Sequence, residues 1–310
     1  PDLVPEEKRG LASGVKALLE LPIPLIVVYL TAGKLIGGGS LWGGLVVLIA
    51  ALTICMLVTL LVRERPLQEA PFELDWQPFV RLAIMTGVFT LIILGTGAVV
   101  RAAVNLPLGL PAITSTILAG LAGVIGMGFA IVLGVLVSTR IGVGRAIREN
   151  RAFVWWVINR LTFLVAATNL SGFTVYFLQE RFEHLQGEAA SEPASTLIMV
   201  IGVFILLTAL PGGWLADRLG KKRVLVACGL LGVAGVSVIV LIPALPAVYV
   251  GGCLVGMAVG LFYSANWALG TALVPEEQSG RYLGLSNLAG AGAGAIGAYT
   301  PAANTRPWFR

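Results

Sequence analysis

Gly213-Trp-Leu-Ala-Asp-Arg-Leu-Gly-Lys-Lys-Arg223 is a short basic turn set between two apolar runs, 195–216 and 224–243. Each run is long enough to cross a bilayer, which takes about 20 mostly apolar residues. Two spans joined by so few residues must pack antiparallel. Asp217 has Arg218 and Lys221 beside it to neutralise it. Its carboxylate could also dock on the positive N-terminal end of a neighbouring helix.

Composition outside the turn gives the same class. Of the 310 residues 57% are hydrophobic and 12% charged, with mean hydropathy +0.91. Soluble globular chains carry roughly 25% charged residues. Apolar runs fall at 17–35, 42–62, 82–104, 112–139, 152–178, 195–216, 224–243, 246–272 and 282–300. They are too long and too continuously apolar for barrel strands, and in lipid every backbone polar group needs an internal partner. The expectation is an all-α, polytopic α-helical membrane protein with about nine transmembrane helices, whose first partner is the lipid bilayer.

A net charge of +5 could point to nucleic acid, but the distribution of the cations excludes that reading. If the chain starts on the cytoplasmic side, fifteen of the 21 Lys and Arg fall on cytoplasmic segments, including Arg140, Arg145, Arg148, Arg151, Arg218, Lys221, Lys222, Arg223 and Arg281. Three fall outside, Lys34, Arg101 and Arg181, and the exterior loop near 180–194 carries Glu180, Glu183, Glu188 and Glu192. This is the positive-inside pattern, a signal of topology.

Nothing in the sequence builds an enzyme. Cys55, Cys228 and Cys253 lie within apolar spans, and the single histidine, His184, sits in the acidic exterior loop. There is no CxxC pair, no H-E-x-x-H, no G-x-S-x-G and no Walker-type phosphate loop. No catalytic residue, metal or cofactor is expected, and an ATP-driven pump is disfavoured.

An internal repeat bears on architecture. Leu3-Val-Pro-Glu-Glu7 recurs as Leu273-Val-Pro-Glu-Glu277, and in the same register Gly10 pairs with Gly280, Gly14 with Gly284 and Leu18 with Leu288. Repeated helix bundles are a common plan among transporters.

The basic turn closely resembles the G-x-L-A-D-R-x-G-R-R/K loop signature of the major facilitator superfamily, matching at Gly213, Leu215, Ala216, Asp217, Arg218, Gly220, Lys221 and Lys222. Arg9-Gly10 is similar to the family's segment before helix 5, and Ser279-Gly280 with Arg281 to the one before helix 11. The resemblance implies that residues 1–65 hold helices 5 and 6 of the N-terminal bundle and 151–310 hold helices 7 to 11. Six helices should separate the two repeats by about 180–200 residues at roughly 30 per helix and loop. The surplus is filled by the two runs at 82–104 and 112–139, so 66–150 is read as a linker with two inserted helices. On this reading the chain is a fragment, running from the loop before helix 5 into helix 11. The resemblance also implies that Gly213, Asp217, Arg218, Gly220, Lys221 and Lys222 gate the conformational cycle, with Asp217 held at the start of helix 11 near Arg281.

Candidate chemistry lies within the spans, where polar groups are costly. Asn159-Arg160 stands about 12 Å into the 152–178 span at 1.5 Å per residue. The fork of Arg160 could hold a carboxylate, a phosphate or several sugar hydroxyls. Asn159, Thr162, Ala166, Asn169 and Phe173 share one helical stripe. Tyr263, Asn266 and Trp267 cluster in the 246–272 span, and such aromatic-plus-amide sets suit sugars. Asn159, Arg160, Asn169, Tyr263 and Asn266 are expected to face one cavity. Glu20 is a candidate for coupling to a proton or sodium ion. Gly252, Gly256 and Gly260 read as a close helix contact, and Trp155 with Trp156 as interfacial belt residues.

Asn266-Trp-Ala-Leu-Gly-Thr-Ala-Leu-Val-Pro275 is similar to segments of bacterial sugar-type major facilitators, though those often carry acids where this chain has Asn266 and Ala272. The resemblance implies a secondary transporter for a small polar solute, a sugar or related molecule, in the bacterial inner (plasma) membrane. Two inserted helices also resemble fourteen-helix drug/proton antiporters and peptide/proton symporters, though the antiporter G-P-x-x-G-G signature is absent. A membrane sensor or scaffold without transport is the alternative of another class.

Overall fold

Among the described residues of the computed structural model, seven long helices follow one another: α1 (Leu41–Leu60), α2 (Trp76–Val104), α3 (Ala112–Val143), α4 (Arg151–Arg181), α5 (Ser191–Leu219), α6 (Lys221–Leu241) and α7 (Leu245–Leu273). The structure describes residues 11–15, 41–61, 76–106, 111–144, 147, 150–274, 282, 284–287, 290 and 292–293. Among these, six helices, α2 to α7, are long and apolar enough to cross a membrane. The expected runs at 82–104, 112–139, 152–178, 195–216, 224–243 and 246–272 are each found and lengthened. Of the other three, 42–62 is α1, 17–35 lies outside the described residues, and 282–300 is described only at 282, 284–287, 290, 292 and 293, all helical. The protein is an all-α polytopic membrane protein.

Where the helices end is governed by local chemistry. The 3₁₀ turn Gly187–Ala190 leads into α5, which accommodates Pro193 in its first turn, where no N–H is needed. The loop expected at 180–194 is therefore shorter, because α4 runs on to Arg181 and α5 starts at Ser191.

The basic turn itself is corrected more sharply. The two expected runs leave residues 217–223 as a loop, yet α5 continues through Leu219 and α6 starts at Lys221. Gly220 alone makes the reversal, at φ 94° and ψ 131°. That conformation is costly for any side chain, so one glycine does the work of a loop. Leu215, Ala216, Arg218 and Leu219 are good helix formers, and α5 runs on through Pro211, Gly212 and Gly213 to stop only at Gly220.

The chain divides into two compact units, 1–74 with 173–269, and 75–172 with 270–310. In the first, α5 and α7 run parallel. A Cβ at Gly256 would lie 2.5 Å from the Ile201 carbonyl oxygen, and one at Gly260 2.5 Å from that of Ile205. Gly252 meets Leu197 in the same register, and Ser264 Oγ donates to the Ala209 carbonyl one turn further on. The expected Gly252/Gly256/Gly260 contact is thus formed, with backbones touching. Without a hydrophobic driving force between helices in lipid, such packing supplies the association energy. α6 runs antiparallel to α7, with Gly235 against Gly251.

In the second unit α2 and α3 form an antiparallel pair. Gly126 meets Val100, Gly134 meets the Phe89 ring and Gly142 meets Met85. Phe89 also covers Gly292, and Leu285 packs on Gly142.

Candidate functional site

The turn and the spans carry different chemistry. At the turn, the Leu11 backbone N–H donates to Asp217 Oδ2 at 3.1 Å. Gly14 makes this possible, because a Cβ there would lie 2.7 Å from the Ala209 carbonyl oxygen and hold residues 11–15 away from α5. Asp217 therefore meets a helical backbone N–H at Leu11. Leu11 is the repeat mate of Arg281, the expected neighbour, which lies outside the described residues. The guanidinium of Arg218 lies over the Trp214 ring, 4.4 Å from its centroid.

Asn150 positions the start of α4. Its Oδ1 accepts the Phe153 N–H at 3.1 Å, three residues into the helix, while its Nδ2 donates to the Leu273 carbonyl at 2.8 Å. One side chain thus caps the N-terminus of α4 and the C-terminus of α7.

Above that cap, α4 presents two faces. Phe153, Trp156, Val157, Arg160, Leu161 and Leu164 are buried, and Arg160 keeps only 5% of its surface exposed. Its guanidinium carbon sits 5.9 Å from the Trp156 ring centroid. Trp156 leans on Phe153 at 5.4 Å, and Phe153 meets Tyr282 edge-on at 4.7 Å. Trp156 is packed directly on Gly270. Trp155 is exposed, but the belt assignment fails for Trp156, a core residue, because Gly270 leaves room for its indole against α7.

The other face carries the stripe. Asn159, Thr162 and Ala166 are exposed, and Asn169 and Phe173 half-buried. Thr162 Oγ1 donates to the Ile158 carbonyl and Asn169 Nδ2 to that of Val165, both at 2.8 Å. The Asn159 side chain makes no hydrogen bond to any described residue. Asn159 and Arg160, adjacent in sequence, thus occupy different faces.

On α7, Asn266 is fully buried, between buried Ala265 and Ala268, while Tyr263 and Trp267 are half-buried. Tyr263 stands edge-on to Phe262 at 6.4 Å. Asn159, Arg160 and Asn169 belong to the second unit, and Tyr263, Asn266 and Trp267 to the first. Glu20 lies outside the described residues.

The sequence model of the Major Facilitator Superfamily matches residues 142–298, just over half of the chain. The chain belongs to the Major Facilitator Superfamily. It is a transporter of that superfamily, embedded in a membrane, and not an enzyme. The matched region contains α4 to α7, and with them the Gly220 turn, Arg160 and the α5–α7 glycine contact. No curated protein and no solved structure matches the chain.

Asn150, Trp156 and Trp214 were not recognised as positioning residues from sequence. An Asn directly before an apolar helix is a legible capping signal. The two tryptophans gave none, since their partners are Gly270 across the fold and Arg218 one turn on.

Proposed function

We propose that this superfamily member is a secondary transporter that moves a small polar solute, a sugar or a related molecule, by alternating access. The exposed stripe of α4 is its solute path, and Arg160, buried on the other face of the same helix, is assigned as its anchoring cation in another state of the cycle. The observation that carries the reading is Asn159, an exposed amide within a span, with no hydrogen bond to any described residue. Hydrocarbon offers such a group nothing, and leaving an amide unsatisfied there costs roughly 2–7 kcal/mol. Water or a hydroxylated solute removes that cost.

Arg160 adds the charge. A guanidinium at bilayer depth costs at least ~2.5–3.5 kcal/mol on insertion scales, so its retention argues for use. Its stack on Trp156 fixes the fork that could grip a carboxylate, a phosphate or paired hydroxyls. On α7, Tyr263, Asn266 and Trp267 are assigned to recognition of the same class of solute. Asp217, bound to Leu11, and the Gly220 turn with Gly213, Arg218, Lys221, Lys222 and Arg281 are assigned to gating. Coupling to a proton or sodium ion through Glu20, the division at 1–65, 66–150 and 151–310, and residence in a bacterial plasma membrane complete the reading.

The test is a thermal-stability screen of the purified protein against sugars, sugar acids and sugar phosphates. A solute that stabilises the wild type should lose its effect in Arg160→Ala and recover little in Arg160→Lys, because one ammonium cannot reproduce the fork. A stabilising solute equally effective on Arg160→Ala would remove Arg160 from the site. No stabilising solute across the panel would favour a sensor or scaffold.

A further inference from the structure

The exposed face of α5 is a single helical stripe: Met199, Val203, Leu207, Pro211, Trp214 and Arg218. It is apolar from Met199 to Trp214, then ends in a cation. α6 repeats the pattern in reverse, starting at exposed Lys222 and Arg223 and continuing through Val226, Leu230, Val233 and Val240. Both faces are exposed over most of their length, and acyl chains fit such surfaces in a membrane protein. The two faces converge at Gly220, so their cations stand where hydrocarbon gives way to headgroups. Trp214 is a residue type that favours that level.

The chemistry at this junction is one-signed. Arg218, Lys222 and Arg223 are exposed and Lys221 is half-buried. Asp217, the one acid of the turn, is turned towards the Leu11 N–H. Arg218 does not wave freely: its guanidinium rests on the Trp214 ring at 4.4 Å, which holds a planar fork at the lipid edge. We propose that this junction is a binding site for the phosphate headgroup of an anionic phospholipid. Its tails lie along the α5 and α6 stripes, and its phosphate is held by Arg218, Lys222 and Arg223. The site is separate from the solute path and does not depend on the transport reading.

The test compares binding of phosphatidylglycerol and phosphatidylcholine, with matched acyl chains, to the purified protein in detergent by native mass spectrometry. Cations near an anionic surface are each worth about fivefold in affinity at low salt. Phosphatidylglycerol should therefore bind the wild type at least about fivefold more tightly. Combining Arg218→Gln, Lys222→Gln and Arg223→Gln should bring it to the phosphatidylcholine level, and Trp214→Ala should lower the preference without abolishing it. Equal binding of the two lipids to the wild type, which needs no variant, would overturn the proposal, as would an unchanged preference in the triple variant. A further arm adds inorganic phosphate at constant ionic strength. If millimolar phosphate displaces phosphatidylglycerol, the junction is a site for free anions and the lipid assignment fails.

Discussion

The exposed stripes of α4 and α5 are similar in length and period but opposite in content. On α4 the exposed face reads Asn159, Thr162, Ala166 and the half-buried Asn169; on α5 it reads Met199, Val203, Leu207, Pro211 and Trp214. In a soluble protein both would simply face water. In a bilayer an exposed surface has two kinds of neighbour, and the side chains say which. The Asn159 amide, with no partner among the described residues, calls for water or a polar solute, whereas Met, Val and Leu fit lipid tails. On the proposed assignment, exposure tells a solute path from a lipid-facing surface only when read together with polarity.

The buried counterpart of the α5 stripe sets the largest expected effect. Gly256 lies against the backbone of Ile201, which cannot give way as a flexible side chain would. Gly256→Leu should cost 3 kcal/mol or more, on the order of the heavier overpacking penalties, and leave little folded protein by size-exclusion chromatography. Val203→Leu, on the exposed face of the same helix pair, should stay within about 0.5 kcal/mol.

A charge placed on each stripe gives the next effect. Leu207→Arg puts a guanidinium into lipid and should cost ~2.5–3.5 kcal/mol of insertion, seen as lost membrane-integrated protein. Thr162→Arg, on the stripe assigned to water, should insert at close to the wild-type level while blocking transport. Equal losses from both would erase the distinction.

Smaller effects belong to the turn. Gly220→Ala forces a side chain into φ 94° and should destabilise by roughly 1–3 kcal/mol in thermal unfolding. Asp217→Ala removes the acceptor of the Leu11 N–H and should cost about 1 kcal/mol, as lost helix caps do. Asp217→Asn should cut transport strongly while leaving insertion and expression mostly intact. Normal uptake by that variant would separate the Leu11 contact from gating.

These contrasts show what the sequence could carry. The spans were legible because about 20 apolar residues leave few alternatives, and the α5–α7 contact because Gly252, Gly256 and Gly260 recur at helical spacing. The turn was misjudged as a loop because charged residues at a membrane edge look the same in a loop and in a last helical turn. What separates them is the backbone angle of Gly220, which no side chain announces. Trp156 was misplaced for a related reason: an indole near a span end suits the interface, and only Gly270, far along the chain, makes room to bury it. The stripe of α4 was visible as a period, but the opposite burial of Asn159 and Arg160 depends on which neighbours α4 meets.

Water access along the two stripes tests the central claim most directly. Single cysteines would be placed at 159, 162, 166 and 169 on α4 and at 199, 203 and 207 on α5, in a protein lacking Cys55, Cys228 and Cys253. Each is then treated in membranes with a small, charged thiosulfonate that reacts only in water. The expected result is reaction along α4, slowed by a bound solute, and none along α5. Equal reactivity of the two stripes, or an inert α4 stripe, would contradict the assignment of α4 to the solute path.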